Sequence, residues 1–368
     1  MAKAHIHLDR GLPLAAQPDK GHNRWHPDIA PKLRISPGTQ VEIQTLDAMD
    51  GQVRPGMEAA ELLATNPLLV HPLTGPVYVE GAEPGDLLAI EIDSIVTADR
   101  GFTVILPGFG YLRDLFPEPF VVHWEMANGI ARSENIPGVR IPGAPFMGIM
   151  GVAPSHELLA RITAREAELL ARGGICVPPD RTDAVPAHEP IASQALRTIT
   201  PHETGGNMDI KQLIAGSTLY LPVYVPGALF STGDAHFAQG DGESCGTAIE
   251  TTATLVARFE LLKGEARRRR QIDPSFTYDV PSQPPAKRRF YATTGNSTRK
   301  DGRAESEDLN VAARNALLNM IDYIVDTRGY TREQAYCLTS VAVDLQVSQV
   351  VDAPNLIVSA TLPLDIFD

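Results

Sequence analysis

Cysteine is scarce in this chain of 368 residues: Cys176, Cys245 and Cys337 stand far apart, with no C-x-x-C pair. That spacing excludes a disulfide framework and a zinc knuckle, and it reads as a protein of a reducing compartment. Long hydrophobic runs are missing as well. No window approaches the roughly 18 uninterrupted apolar residues that a membrane span requires. Met1 to Arg10 is polar where a signal peptide would be apolar, so a cytoplasmic protein is expected. Positive charge is also in deficit, with Lys+Arg 32 against Asp+Glu 45 and a net charge of −13. A surface of that sign repels nucleic acid and anionic lipid, and it suits a small neutral or cationic substrate. The one basic run, Arg267 to Arg270 with Lys287, Arg288 and Arg289 beyond it, reads as a solvated loop or a salt-bridged subunit contact.

Glycine and proline are plentiful, thirty of each, scattered without repeat, as in strand-rich and turn-rich proteins. With 43% apolar residues the chain is globular, and its length exceeds one ordinary core. Residues 1–35 read as an extended amino-terminal arm of the kind that lies over a neighbouring subunit, which points to a homo-oligomer. Residues 36–155 read as a β-rich lobe. Within it Thr39 to Thr45 and Leu87 to Val96 alternate like half-buried strands, each opened by a Pro-Gly turn. Residues 156–201 read as an insertion: a helix from His156 to Arg172 stopped by Gly173-Gly174, then a loop. Residues 202–368 read as a second β-rich lobe that ends in helices. Leu309 to Asp326 carries the widest apolar helical face, and Thr331 caps a second helix. Strands are expected at Thr252 to Leu262, Phe290 to Thr294, Val341 to Val350 and Leu356 to Leu362. No regular βαβ alternation appears, so the fold class is α+β, mainly β and two-lobed.

Chemistry concentrates between His202 and Glu250. Six acids (Glu203, Asp209, Asp234, Asp241, Glu243, Glu250) and two histidines (His202, His236) surround the apolar stretch Leu219 to Val225, and Lys211 is the only Lys or Arg. Polar groups so dense beside apolar runs are costly to bury unless a cation or substrate satisfies them. Asp234 with His236, and Asp241 with Glu243, share a face if their backbone is extended. Gly233, Gly240 and Gly242 let the chain turn sharply around a ligand. Carboxylates mixed with imidazole suit zinc, with calcium as the alternative, so Asp209, Asp234 and His236 are the candidate ligands. Taken singly, each Asp also reads as a turn or cap residue, and His236 as a hydrogen-bonded core histidine. Glu250 reads as an acid supporting the ligands or as a structural carboxylate.

Those residues carry a resemblance. N-M-D-I (Asn207 to Ile210), G-D-A-H-F-A-Q-G-D-G-E (Gly233 to Glu243) and G-T-A-I-E (Gly246 to Glu250) are similar to the acetamidase/formamidase family of amide hydrolases. H-N-R-W-H-P-D-I (His22 to Ile29) resembles the formamidase branch. G-A-E-P-G-D (Gly81 to Asp86), I-P-G-V-R (Ile136 to Arg140), G-V-A-P (Gly151 to Pro154) and G-Y-T-R-E-Q-A-Y (Gly329 to Tyr336) extend the match along the chain. The resemblance implies cleavage of the C–N bond of a small amide: formamide, acetamide or a cyclic γ-lactam. Beside it, metal-activated water is the expected nucleophile, with Glu243 as general base and Asn207 on the substrate amide or the developing oxyanion. Asp241 and His202 complete the catalytic set, His202 as a ligand or proton carrier. His22 and His26 read either as part of a substrate lid or as packing of the arm. Two other readings stay open. Cys245 is a candidate nucleophile, although the neighbouring acids would raise its pKa. A calcium-binding β module without activity is the other, although its oxygen ligands would leave His236 unexplained.

Overall fold

The computed structural model describes residues 4–279 and 288–368, so Lys287 of the basic run lies outside the described residues. Two large β-sheets, two small ones of two and three strands, and a helical layer make up the architecture of the described residues. The smaller of the two large sheets has six strands, in the order Ala4–Ile6, Thr39–Thr45, Ala253–Leu262, Leu87–Thr97, Thr218–Pro222 and Ser275–Thr277. The larger has eleven and runs through Phe120–Ala127, Arg100–Ile105, Glu250–Thr251, Phe230–His236 and Phe146–Gly151 to Gly205–Asn207. Leu73–Val79 branches from it at Phe230–His236. Most pairings are antiparallel, as the α+β, mainly β reading requires.

The strand sequences explain the layering. Ala253–Leu262 alternates buried and half-buried residues, placing Ala253, Leu255, Ala257 and Phe259 on one face. Val41, Ile43, Leu88, Ile90 and Leu219 from its sheet join that face and pack on Val77, Val79, Met147, Phe230 and Ala235 of the larger sheet. Phe230–His236 has no exposed face, being buried at every position. A strand covered on both sides leaves room for small residues, which accounts for Ser231, Thr232, Gly233 and Ala235.

A second core forms around the helices Leu309–Arg328 and Arg332–Ala342. Asp308 caps the first by accepting from the Val311 N–H at 3.0 Å, and Gly329 ends it in the left-handed region. Thr331 and Gln334 form a reciprocal capping box on the second. Ala312, Ala316, Leu317, Met320, Ile321 and Ile324 pack against Val358, Ala360 and Leu362 of a three-stranded sheet, against Trp124 of the larger sheet and against Phe237 just past the end of Phe230–His236. Ala235 belongs to the inter-sheet core and Phe237 to the helical core, so His236 sits where the two cores meet.

Several segments differ from expectation. The amino-terminal residues make in-chain pairings: Ala4–Ile6 with Thr39–Thr45, Gly21–His22 with Leu73–Val79, and Arg24–Trp25 with Leu196–Arg197. The loop before residue 201 contains the helix Ile191–Gln194, and Arg197 and Thr198 are buried. In the basic run Arg268 and Arg269 both pair with Glu265, at 2.6 and 2.8 Å, and Arg288 pairs with Asp365 at 2.7 Å. Leu317, with no exposed surface, tests the helical core. Leu317→Ala should lower unfolding free energy by about 2–5 kcal/mol in urea titration. A loss below about 0.5 kcal/mol would contradict this packing.

Candidate active site

Strand register assembles the site. His236 and Glu250 are direct cross-strand partners, so two residues 14 apart in sequence present their side chains side by side. His236 Nε2 lies 3.2 Å from Glu250 Oε2, 3.2 Å from Asp234 Oδ1 and 3.8 Å from Glu243 Oε1. Asp209 arrives from the loop after Gly205–Asn207, its N–H donating to the Gly148 carbonyl at 3.2 Å. Donor atoms of Asp209, His236 and Glu243 fall within 4.8 Å of one another, as do those of Asp234, His236 and Glu250. Asp209, Asp234 and Glu243 all adopt positive φ, at 50°, 56° and 40°. Such backbone is uncommon outside glycine, and here it aims three carboxylates at one point.

Gly148 makes the space. A Cβ there would sit 2.7 Å from Asp209 Oδ1, 2.7 Å from Asp234 Oδ2 and 2.8 Å from His236 Cε1. Gln239 sets the tautomer of His236. Its Nε2 donates to the Asp209 carbonyl at 2.9 Å, which leaves its Oε1 to accept from His236 Nδ1, also at 2.9 Å. With the ring proton committed to Nδ1, the Nε2 of a neutral imidazole would direct its lone pair at two carboxylate oxygens. That arrangement requires a second ring proton or a cation. Asp209 Oδ1 and Glu250 Oε2 are buried without a hydrogen-bond partner among the described residues. Two orphaned acceptors, a fixed imidazole and a cradle that a methyl group would fill fit a divalent ion.

The electrostatics point the same way. Burial pushes Asp209 up to about 7, with Asp234 adding to the shift and His236 opposing it. Burial likewise pushes Glu250 up to about 8. Glu243 is raised well above the carboxylate range by burial and then by Asp209. Burial also works against the charge on Asp234, but His236 and His71 outweigh it and hold Asp234 low. His236 is raised despite burial, by Glu250 and Asp234.

The cluster opens onto a cavity of about 400 Å³. Asp234, Glu243, Glu250, Asn207, Thr247 and His71 contribute its polar lining, and Met49, Leu62, Val70, Leu106, Phe109 and Ile199 much of the apolar remainder. Asn207, a lining residue, donates from Nδ2 to the Ile199 carbonyl at 3.2 Å, and its Oδ1 is buried without a partner among the described residues.

Of the residues singled out in sequence, Asp209, Asp234, His236 and Glu243 converge, and Asn207 lines the cavity. Asp241 does not join them. Its carboxylate accepts from Gln212 Nε2 at 3.2 Å and lies 3.7 Å from Lys211 Nζ. The turn at Glu243 breaks the extended backbone that would have put both acids on one face. His202 is also elsewhere, its Nε2 paired with Glu166 Oε1 of the helix His156–Ala171 at 2.7 Å. Glu250 is a full member of the cluster, placed by register alone. His71 and Gly148 carried no sequence signal. His22 bonds Ser231 Oγ at 2.7 Å and is held neutral by burial, down to about 3, so it packs the arm. His26 is buried near Asp28 and His156. Cys245 lies in the helical core, its Sγ 3.5 Å from the Thr247 carbonyl. Burial works to raise its pKa, but hydrogen bonds from Cys337, Ser340 and Thr247 bring it down to about 7. The thiol is not among the cavity-lining groups.

Two outcomes follow. Cys245→Ala should keep amide turnover within roughly threefold of the parent; abolished turnover with metal content intact would restore the thiol mechanism. In a chelated sample, Glu250 binds more protons folded than unfolded between its ordinary value near 4 and its folded value of about 8. Its contribution to stability is therefore complete below about pH 4 and is lost as pH rises to about 8. The melting temperature of the parent should fall more steeply than that of Glu250→Gln across that window, and parallel curves would refute the shift.

Among the described residues no helix is long and apolar enough to cross a membrane. The sequence profile of the Acetamidase/Formamidase family matches residues 7–368. A formamidase from Methylophilus methylotrophus is 34% identical, the alignment covering 100% of this chain and 94% of the relative. An acetamidase from Mycolicibacterium smegmatis is 34% identical over 92% of this chain and 89% of its own length. A solved gamma lactamase from Delftia acidovorans superposes with a TM-score of 0.94 at 34% identity, covering 100% of this chain and 94% of that one. The chain belongs to the acetamidase/formamidase family and is, with it, an enzyme that hydrolyses the C–N bond of small amides.

Proposed function

We propose that the enzyme releases ammonia from formamide- or acetamide-like substrates, using a divalent ion held by Asp209, Asp234, His236 and Glu250. The observation that carries this is the Nδ1 hydrogen bond of His236 to Gln239, which turns Nε2 toward two carboxylates 3.2 Å away. Zinc is favoured because imidazole is in the donor set, and calcium is the alternative. When bound, the ion would supply Lewis-acid polarisation of the amide carbonyl and would lower the pKa of water to about 7. The chain's own groups do the rest. Glu243, 3.8 Å from His236 Nε2 and lining the cavity, takes the proton of the attacking water. It then delivers that proton to the departing nitrogen. Asn207 Oδ1 accepts an amide N–H and orients the carbonyl carbon toward the acids. Addition of water breaks the C–N bond and yields a carboxylate and ammonium. The enzyme works in the cytoplasm, a reading supported by its three free cysteines; its assembly as a homo-oligomer rests on the extended amino-terminal segment read from the sequence.

Removing metal with a chelator should cut ammonia release more than about a hundredfold, and zinc should restore it. Native-rate hydrolysis by a sample verified as metal-free would overturn the proposal. Glu243→Gln should lower kcat by about 10² to 10⁴ while metal content stays unchanged.

A further inference from the structure

The cavity is far larger and greasier than formamide or acetamide needs. Its volume of about 400 Å³ lies within the range of sites that enclose drug-sized ligands. The carboxylates converge on one part of the lining, so the remaining volume extends away from the reacting carbon. Met49, Leu62, Val70 and Ile199 surround much of that volume, and none offers a side-chain hydrogen bond. Met49, Leu62 and Val70 are themselves buried, at 5%, 1% and 7% exposure, so the wall is a packed surface and not a loose flap. Leu63 and Phe109 also line the cavity, and at 66% and 44% exposure they form its rim. A substrate that ended at its carbonyl would leave this surface uncovered. One carrying an apolar tail would bury it on both sides.

We infer that the preferred substrates are primary amides whose acyl group is an apolar chain of about four to eight carbons, the tail lying along Leu62, Val70 and Ile199 out to Leu63 and Phe109. This rests on the amide hydrolysis proposed above and adds the class of acyl group. Each methylene that enters the cavity leaves water, which is worth about fourfold in kcat/KM. Polar or charged acyl groups of equal length gain nothing from these walls.

Ammonia release is measured for the metal-loaded enzyme on formamide, acetamide, propionamide, butyramide and hexanamide, with succinamic acid as the charged counterpart of butyramide. The expected result is a rise of about fourfold per methylene, placing hexanamide more than about a hundredfold above acetamide in kcat/KM. Succinamic acid should fall below butyramide. A flat or falling series with good turnover of formamide and acetamide overturns the inference and leaves amide hydrolysis standing. No ammonia from any of these amides overturns both. Ala48 lines the same cavity, and Ala48→Leu should lower the hexanamide-to-acetamide ratio by about tenfold or more. An unchanged ratio in a folded variant would place the acyl chain elsewhere.

Discussion

The hydrogen bond between His236 Nδ1 and Gln239 Oε1 is the interaction on which the rest of the site depends. It is directional because the other end of the same amide is bound to the Asp209 backbone carbonyl, so Gln239 cannot turn round. A ring proton committed to Nδ1 leaves Nε2 facing Asp234 and Glu250. That contact is repulsive for a neutral ring and attractive once a positive charge stands there. The hydrogen bonds therefore leave the acid cluster one positive charge short, which a second ring proton or a cation would supply. One amide side chain links His236 to the backbone of Asp209, so ring orientation and loop position are coupled.

Burying Asp234, Glu250 and most of Asp209 and Glu243 around one histidine is expensive, and the fold offsets the cost in three ways. His236 and His71 face Asp234 and hold it ionised. Protonation relieves Asp209 and Glu250, whose raised values keep them partly neutral near pH 7. Rigid β-structure on both sides keeps the groups from separating, since Phe230–His236 is hydrogen-bonded to strands on either flank. The strand ends between the inter-sheet and helical cores, so displacing His236 would disturb both.

Much of the fold was legible along the chain. Strict alternation in Thr39–Thr45 and Ala253–Leu262 marked strands with one covered face. The apolar stripe and the caps Asp308, Gly329 and Thr331 marked the two long helices. Local signals failed where tertiary contacts overrode them. The amino-terminal residues lacked periodicity because their strands are only two or three residues long, yet His22, Asn23, Arg24 and Trp25 are all buried. Asp241 shared every composition cue with Glu243. A left-handed backbone at Glu243 sent the two carboxylates to different partners, Asp241 to Gln212 and Lys211.

Sequence by itself determined the chemistry available: carboxylates and two histidines dense within a glycine-punctuated segment that holds a single Lys or Arg. Only the tertiary structure decided which of them meet. Glu250 reaches His236 because two antiparallel strands pair in one register, and a shift of a single residue would turn its side chain to the opposite face. Gly148 and His71 enter the site from strands and loops far away in the chain, through close approaches that no local pattern encodes.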